Sequence, residues 1–340
     1  MRSSLFVDSL RFGGDNSATM NEKIIFVFPG QGSQYVGMGA DVFQDFAAAR
    51  HVYQEVSDAA RRDVAKISFS GNAAELNKPD NTSLCTFAHS VAIARVIEDE
   101  YKMPVYNIAY AIAGHSMGQY SALHCAGSLS LRDAVDILAA RSSYMSLISA
   151  KGGMVAVVGL EYDVVKAALR ATIGCGYAEI SNHNARDQFI VSGETAALDA
   201  FIEKAKEYGA RLVRKLNVSI PAHCALMSGA EEKLRKTLSG INIDAPKTNW
   251  FSNQTANTMS NPMDVRDALA DQMTNGVRWY EIMQQFPRYK ITSAYELGPG
   301  RTLSGLINRS DVGCAAMQTD KSMNVKQMLH CLEYQIAKQH

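Results

Sequence analysis

The pattern of apolar and polar residues divides much of the chain into alternating strands and helices. A short apolar run at residues 23–28 ends in Pro29-Gly30, which predicts a buried strand followed by a glycine-containing loop. Helical periodicity follows over residues 40–60 and 83–101, and an apolar run at 106–112 predicts another strand. Long apolar strands that alternate with helices are buried on both faces, so the pattern predicts an α/β fold with a mostly parallel sheet.

The order of predicted strands and helices changes in the middle of the chain. The elements predicted there are strands and helices at residues 154–159, 163–171, 177–181, 188–192, 196–208 and 211–218. Their order is strand, helix, strand, strand, helix, strand, which is the order of a ferredoxin-like unit. We therefore expect a ferredoxin-like subdomain at residues 152–218, inserted into a discontinuous large domain at 20–151 and 219–332. Residues 1–19 are interpreted as a leader or disordered extension, and residues 333–340 as a C-terminal tail.

One segment places a serine where chemistry is possible. The run Ala111-Ile-Ala-Gly-His-Ser-Met-Gly118 sets Ser116 between two glycines, directly after an apolar run, and residues 117–124 are typical of a helix that ends near Gly127. This is the layout of a nucleophile elbow, a strained strand-to-helix turn that exposes the serine hydroxyl. The following N–H starts a helix whose positive end favours an oxyanion. The alternative is a tight turn with an inert serine.

A serine at neutral pH is a poor nucleophile and needs a base within hydrogen-bond reach. His223 follows a predicted strand and a proline in Asn217-Val-Ser-Ile-Pro-Ala-His223, where the insert rejoins the large domain. Clefts form at such junctions, so His223 is the candidate base. His115 adjoins the serine and is assigned to packing or to support of the elbow. Of the others, we expect exposed side chains at His51, His330 and His340, and core or boundary positions for His89 and His124.

An arginine occupies an unusual place on a later helix. Ser130-Leu-Arg-Asp133 predicts the capping box that opens this helix, and Arg141 falls on the flank of its apolar stripe, beside Met145 and Ile148. Burying an unpaired guanidinium costs several kcal/mol, so Arg141 needs an anion or several carbonyl groups. The alternatives are a side chain that reaches water or one that pairs with a structural carboxylate.

Composition narrows the class of protein. The 340 residues include 34 basic and 34 acidic side chains, so no overall field favours nucleic acid or an anionic membrane surface. The six cysteines are scattered without a C-x-x-C pair, which argues against a zinc site or a disulfide framework and for a reduced, cytoplasmic protein. No apolar run approaches the roughly 18 residues that span a bilayer, and no secretory segment is expected.

Several motifs occur in one order along the chain. They are Phe28-Pro-Gly-Gln-Gly-Ser-Gln34, Gly114-His-Ser-Met-Gly118, an arginine 25 positions after Ser116, Pro221-Ala-His-Cys-Ala-Leu-Met227 and Glu296-Leu-Gly-Pro-Gly300. Together they resemble the malonyl-CoA:acyl carrier protein transacylase family, including the acyltransferase domains of polyketide synthases, over residues 20–332. The resemblance implies a ping-pong reaction in which Ser116, deprotonated by His223, takes an acyl group from a coenzyme A thioester. The phosphopantetheine thiol of a carrier protein then accepts it, and no metal or permanently bound cofactor takes part.

The resemblance also implies roles for further residues. The backbone N–H groups of Gln31 and Met117 match the oxyanion hole of the family, and removing one such donor costs about 2.7 to 4 kcal/mol in barrier. Arg141 matches the arginine that holds the free carboxylate of malonyl in a bidentate pair. Asn182 and Asn184 resemble an active-site asparagine segment, and an Asx turn before a strand is the alternative.

Two matters stay open after this comparison with the family. One is which group orients the histidine, and the other is the effect of three positions that differ from the family pattern. Residues 275–279 line up with the part of the family that supplies a main-chain carbonyl to the histidine, and the particular residue is left open. Gln119 stands where glutamate is usual, and residues 81–85 replace a Thr-Gln-Pro segment, which puts that wall of the pocket in doubt. Ala222 replaces a larger residue before His223, so α-substituted units such as methylmalonyl, hydroxymalonyl or aminomalonyl remain alternatives to malonyl.

The sequence therefore predicts an α/β, hydrolase-like core with a mostly parallel sheet plus an inserted ferredoxin-like subdomain. The expected activity is transfer of malonyl from malonyl-CoA to an acyl carrier protein by a cytoplasmic monomer that binds neither nucleic acid nor membrane. The alternatives are an acyl hydrolase of the same fold and a silent subunit that only holds a carrier protein. An acidic carrier would need a basic rim, for which Arg186, Arg278 and Arg301 are candidates.

Overall fold

The structure is a computed structural model that describes residues 23–148 and 151–337, so the predicted leader and His340 lie outside it. The strands are β1 (Lys23–Phe28), β2 (Ala111–Gly114), β3 (Gly152–Val158), β4 (Ala178–Ala185), β5 (Gln188–Glu194), β6 (Leu212–Lys215), β7 (Asn249–Phe251), β8 (Thr258–Met259), β9 (Ile291–Glu296) and β10 (Ala315–Gln318). The helices are α1 (Ala40–Asp45), α2 (Ala47–Ala60), α3 (Val64–Ser70), α4 (Ala73–Leu76), α5 (Pro79–Tyr101), α6 (Val105–Ile108), α7 (Gly118–Cys125), α8 (Leu131–Ser146), α9 (Tyr162–Arg170), α10 (Thr195–Glu207), α11 (Ser228–Leu238), α12 (Pro262–Asp271), α13 (Trp279–Gln284), α14 (Phe286–Tyr289), α15 (Thr302–Asn308) and α16 (Ser322–Ala337), with a 3₁₀ turn at Ala225–Met227.

A six-stranded sheet in the order β10-β9-β1-β2-β7-β8 forms the centre of the fold. The strands from β10 to β7 are parallel to their neighbours, and β8 pairs with β7 in the antiparallel sense. Successive residues of β1 enter different cores, because Phe26 packs into one buried cluster and Val27 into another. The sheet is thus covered on both faces, as the continuous apolar runs predicted.

A second, four-stranded sheet has the order β4-β5-β3-β6 with antiparallel pairs throughout. Its elements run β3-α9-β4-β5-α10-β6, the predicted succession, and have a core of their own that includes Phe189 and Phe201. Strand β4 also reaches the central body, since the His183 N–H donates to the Val277 carbonyl at 2.9 Å and the Val277 N–H donates to the Ser181 carbonyl at 2.9 Å. The division of the chain into two domains stays a prediction.

The strand predicted at residues 106–112 is wrong in its first half. Residues 105–108 form the short helix α6, and the strand begins only at Ala111. Pro104, with φ −62°, stands at the N-terminus of the helical turn, which the Ala109 N–H closes on the Val105 carbonyl at 2.9 Å. An apolar run by itself does not separate a buried helical turn from a strand.

Two helical boundaries also differ from expectation. The helix predicted at residues 40–60 is broken by the extended backbone of Phe46 (φ −122°, ψ 123°) into α1 and α2. Helix α16 continues into the predicted tail at 333–340, because Gln335 is buried and its Oε1 accepts a hydrogen bond from the Tyr295 hydroxyl at 2.8 Å. That anchor to the central sheet keeps the chain helical beyond the predicted boundary.

The described residues carry no helix that has both the length and the apolar character needed to cross a membrane. The six cysteines are all unpaired. Within residues 23–148 and 151–337, no cluster of three or more His, Cys, Asp or Glu side chains has an arrangement that could hold a metal ion.

Candidate active site

Loops that follow neighbouring parallel strands meet at one edge of the central sheet. Strand β1 leads to the loop with Gln31, β2 leads to Ser116, and β7 leads to Asn253. Strand β9 leads to Gly298, where an added Cβ would lie 2.7 Å from the Pro29 ring, so this loop packs against the β1 loop. The carboxyl ends of parallel strands share one edge, which is where α/β proteins place their ligands.

The turn at Ser116 is a strained elbow, as predicted. Ser116 has a φ of 52°, in the left-handed region that side chains rarely adopt. A Cβ on Gly114 would lie 2.1 Å from the backbone of Gly118, and one on Gly118 would lie 2.2 Å from the Phe28 carbonyl oxygen. Only glycine fits at either position, because backbones pass within contact of both.

Ser116 and His223 form a hydrogen-bonded pair. The Ser116 Oγ lies 2.7 Å from the His223 Nε2, and the His223 Nδ1 lies 2.7 Å from the Gln272 carbonyl oxygen. A carbonyl can only accept, so the Nδ1 carries the proton and the Nε2 is left to accept from the serine hydroxyl. His223 also has a left-handed φ, of 61°, and its side chain is buried. The pair has the arrangement of a nucleophile and its general base.

Gln272 supplies the carbonyl that the sequence analysis left open. It lies three residues before the segment 275–279 that was expected to contain it. Its side chain serves the same site, because the Nε2 donates to the Ser116 carbonyl at 3.0 Å and to the Oε1 of Gln119. One residue therefore connects the base to the elbow, and the neutral Gln119 acts as an acceptor in that network.

Asn253 is a second site residue that the sequence analysis missed. Its Oδ1 accepts from the Ser116 N–H at 2.8 Å, and its Nδ2 donates to the Gly114 carbonyl at 2.8 Å, so it spans the elbow. Asn253 comes two residues after the end of a strand, at the edge where ligands gather, and that position was a usable signal. Gln272 had no equivalent signal, because any residue can offer a carbonyl.

Two backbone N–H groups near the serine are without a protein acceptor in the described part of the chain, those of Gln31 and Met117. The Met117 N–H lies at the start of α7, where the helix dipole is positive. A Cβ on Gly30 would lie 2.5 Å from the His115 carbonyl oxygen, which shows how closely the β1 loop approaches the elbow. The two donors keep their predicted role in an oxyanion hole.

Arg141 is buried, with 4% of its surface exposed, and is not compensated by the protein. Across residues 23–148 and 151–337 no carboxylate lies within 4.0 Å of it, and its buried Nε has no hydrogen-bond partner. Burial accordingly lowers the pKa of this guanidinium. A structural carboxylate within the described residues therefore does not account for Arg141, and an anionic ligand remains the partner that the sequence predicts.

The charge state of the base follows from its surroundings. Burial, and then the positive charge of Arg141, lower the pKa of His223 to about 3, although its hydrogen bond to Gln272 acts in the opposite direction. His223 is therefore neutral at physiological pH, the form that a general base requires.

We expect the acylation rate of the free enzyme to change little between pH 8 and pH 5. The active form of His223 is the neutral one, and a pKa of about 3 keeps it neutral until the solution is strongly acidic. Rapid-mixing measurement of coenzyme A release across this range provides the test. A rate that falls with an apparent pKa near 6.5, the ordinary value for histidine, would contradict the burial argument.

The same shift bears on stability. His124 is held at a pKa of about 4 by burial, and His223 at about 3, so both bind protons more weakly in the folded than in the unfolded chain. The unfolded chain gains protons as the pH falls below about 6.5, and the free energy of unfolding then drops by up to about 1.4 kcal/mol per pH unit for each histidine. Urea unfolding at pH 7, 6 and 5 measures this loss, which should be smaller in a His124→Asn variant.

Asn182 and Asn184 lie inside β4, so the alternative of an Asx turn before a strand is wrong. The Asn184 Oδ1 accepts from the His115 Nε2 at 2.8 Å, and the Asn182 Oδ1 accepts from the Ser181 hydroxyl at 3.1 Å. His115 also packs edge-on against Trp279, with ring centroids 5.6 Å apart, in agreement with its predicted role in packing or in support of the elbow. The two asparagines keep a predicted role in substrate binding.

The walls that depart from the family are formed by small side chains. Ala222 is buried directly before His223. Ser83, within the segment 81–85, is buried in α5, and its Oγ lies 3.2 Å from that of Ser142, the residue after Arg141.

The predicted basic rim is largely neutralised by the protein itself. Arg186 pairs with Glu161 at 3.2 Å, and Arg278 pairs with Glu281 at 2.7 Å. Arg301 is exposed just before α15. Two of these three cations are therefore engaged by their own carboxylates.

The site thus holds a hydrogen-bonded serine–histidine pair at the edge of the sheet, and comparison with known proteins identifies the family of the chain. Residues 25–295 match the acyl transferase domain family, and the chain belongs to that family. Among curated relatives, the malonyl CoA-acyl carrier protein transacylase of Haemophilus influenzae is 34% identical over 290 residues, which cover 85% of this chain and 92% of the relative. The resemblance in the motifs is thereby confirmed.

Solved structures give the same result for the fold. An acyl-carrier-protein S-malonyltransferase from Burkholderia pseudomallei 1710b has a TM-score of 0.87 and 35% identity, covering 91% of this chain and 99% of that one. A type II polyketide synthase acyl carrier protein in complex with its malonyl-transacylase also matches, with a TM-score of 0.87, 31% identity and coverage of 91% of this chain and 100% of that chain.

Proposed function

We propose that this protein transfers malonyl from malonyl-CoA to the phosphopantetheine thiol of an acyl carrier protein, through an acyl ester on Ser116. The observation that carries the proposal is the hydrogen-bonded chain of Ser116, His223 and the Gln272 carbonyl beside a buried, uncompensated Arg141. The relatives and solved structures, which are named as malonyl transacylases or malonyltransferases of acyl carrier proteins, support the same substrates.

In the first half-reaction, the Ser116 oxygen attacks the thioester carbonyl carbon while its proton passes to the His223 Nε2. The Gln272 carbonyl, which accepts from the Nδ1, stabilises the imidazolium that forms. The N–H groups of Gln31 and Met117 stabilise the oxyanion of the tetrahedral intermediate. When the carbon–sulfur bond breaks, the coenzyme A sulfur takes the proton from the Nε2, and the acyl ester remains on the serine.

The second half-reaction reverses these roles. His223 accepts the proton of the carrier's thiol, and the resulting thiolate attacks the ester carbonyl carbon. The ester carbon–oxygen bond then breaks, and the Ser116 oxygen recovers a proton from the Nε2. The neutral state of His223 suits both halves, because each half begins with the histidine as acceptor.

Arg141 selects a dicarboxylic acyl group. A guanidinium binds a carboxylate through two parallel hydrogen bonds, and the dry surroundings of Arg141 strengthen this charge-assisted pair. The cost of burying the cation is then offset when the malonyl carboxylate arrives, which an acetyl group cannot do. This difference favours malonyl over monocarboxylic acyl groups.

We further propose that the protein works as a cytoplasmic monomer without a permanently bound cofactor. A single chain supplies the nucleophile, the base and the cation, so the reaction needs no residue from a second copy. Six unpaired cysteines fit a reducing compartment.

Intact mass spectrometry after mixing with malonyl-CoA alone tests the function. A malonyl ester should accumulate on Ser116 and persist until carrier protein bearing its phosphopantetheine arm is added. Competition among malonyl-, methylmalonyl- and acetyl-CoA in the same assay reads the preference for the acyl group. Rapid release of free malonate without a carrier would instead identify an acyl hydrolase.

A further inference from the structure

A groove of about 620 Å³ opens between the end of α8 and helix α11. Its apolar lining consists of Leu147, Ile148 and Leu226. Its charged lining consists of Lys233 and Lys236, together with Glu232. We call this surface the α8–α11 groove.

The α8–α11 groove is connected to the catalytic residues through both of its walls. Leu226 comes three residues after His223, in the 3₁₀ turn that leads into α11. Leu147 comes six residues after Arg141, which is about 9 Å along a helix axis. The Tyr144 hydroxyl lies 2.9 Å from the Thr237 Oγ1 and holds the two walls together. Both walls of the groove therefore continue, within a few residues, into the segments that carry His223 and Arg141.

The lining of the groove combines an exposed apolar side chain with two lysines that no carboxylate pairs in the described residues. Leu147 is 62% exposed, and the partly buried Ile148 lies next to it in the apolar part of the lining. Lys233 and Lys236 are exposed one turn apart, and neither has a carboxylate within 4.0 Å in the described residues. Glu232 is the one acidic group that lines the groove, so the lysines outnumber it two to one. The cations of the predicted rim, by contrast, are mostly paired.

We propose that the α8–α11 groove is the docking surface for the acyl carrier protein, an inference that rests on the proposed function. The fitting partner presents carboxylates next to an apolar helix face, so that its acids meet Lys233 and Lys236 while its apolar side chains cover Leu147. The phosphates of coenzyme A could use the lysines, but they would leave Leu147 uncovered. A carrier accounts for both features, and its arm would start from beside the cleft.

The two half-reactions separate docking from chemistry. In a Lys233→Glu/Lys236→Glu variant, we expect kcat/KM for carrier protein bearing its arm to fall at least about tenfold, mainly through KM. The new glutamates repel the carboxylates of the carrier, which slows encounter and weakens the complex. Acylation of Ser116 by malonyl-CoA, and transfer from the acyl-enzyme to free pantetheine, should be unchanged. The difference in kcat/KM for carrier protein between the wild type and this variant should become smaller as the salt concentration rises.

Leu147→Ser tests the apolar contact. This variant should raise KM for the carrier protein and leave KM for malonyl-CoA unchanged.

The matched control is Lys247→Glu/Lys290→Glu. Both lysines are exposed. They lie at the opposite edge of the central sheet, shortly before β7 and β9, and their substitution by glutamate changes the net charge by the same amount. Thermal unfolding of every variant checks that the fold is retained. Loss of acylation by malonyl-CoA in the Lys233→Glu/Lys236→Glu variant would assign the groove to coenzyme A, and an unchanged KM for the carrier would place docking elsewhere. Both results would overturn the inference while leaving the acyl-serine reaction intact.

Discussion

Ser116→Ala is expected to lose malonyl transfer almost completely, by a factor on the order of 10⁶ in kcat, as when the nucleophile of a serine–histidine pair is removed. Alanine leaves the His223 Nε2 without the hydroxyl that lies 2.7 Å from it, so no acyl ester can form. Release of coenzyme A and intact mass after incubation with malonyl-CoA provide the measurements.

The fold should survive this substitution. The Ser116 backbone is held by Asn253 and Gln272 through its own N–H and carbonyl groups, and alanine keeps both. Ser239→Ala, an exposed position at the end of α11, is the matched control and should retain full activity. Retained transfer in Ser116→Ala would refute the assignment of the nucleophile.

Arg141→Met is expected to lower activity with malonyl-CoA but not with acetyl-CoA. Loss of a buried charge pair with the substrate carboxylate removes about 3 to 5 kcal/mol, which is roughly a 10²- to 10⁴-fold drop in kcat/KM for malonyl-CoA. Acetyl-CoA has no free carboxylate to lose, so its kcat/KM should stay the same or rise. Parallel acylation assays with the two thioesters measure the ratio.

The same variant should be more stable than the wild type in the absence of substrate. Arg141 is a buried cation with no carboxylate within 4.0 Å in the described residues, and an apolar side chain of similar length avoids the cost of its desolvation. We expect the free energy of unfolding to rise by about 1 to 4 kcal/mol in urea titrations. Equal loss of activity on both thioesters, accompanied by a less stable fold, would mean that Arg141 is structural.

The elements whose signals lie within a short stretch of sequence were the ones predicted well. The elbow needs a serine between two glycines after an apolar strand, and all of these residues lie within the eight positions 111–118. The capping box was confirmed in the same way, because the Asp133 N–H donates to the Ser130 Oγ at 3.0 Å. The strand prediction at 106–112 was wrong in its first half because an apolar run indicates burial. Burial is common to strands and to buried helical turns.

Long-range partners were beyond prediction. The His223 base is oriented by a carbonyl 49 positions away, and every residue type carries a carbonyl, so no side chain marks Gln272 for this role. Likewise, the helical pattern showed that Arg141 lies on the flank of an apolar stripe. Whether a carboxylate of the described residues lies within 4.0 Å of it depends on which elements surround α8.

The sequence by itself determined the α/β alternation and the strained serine turn. It also marked the candidate base and the arginine on the flank of an apolar stripe. These features could be recognised because apolar periodicity and glycine placement act locally. The tertiary structure alone decided which groups converge at the sheet edge, which rim cations are already paired, and which lysines face an open groove. The physical reason is that hydrogen bonds and charge pairs depend on distances of a few ångströms between segments far apart in the chain, and only folding sets those distances.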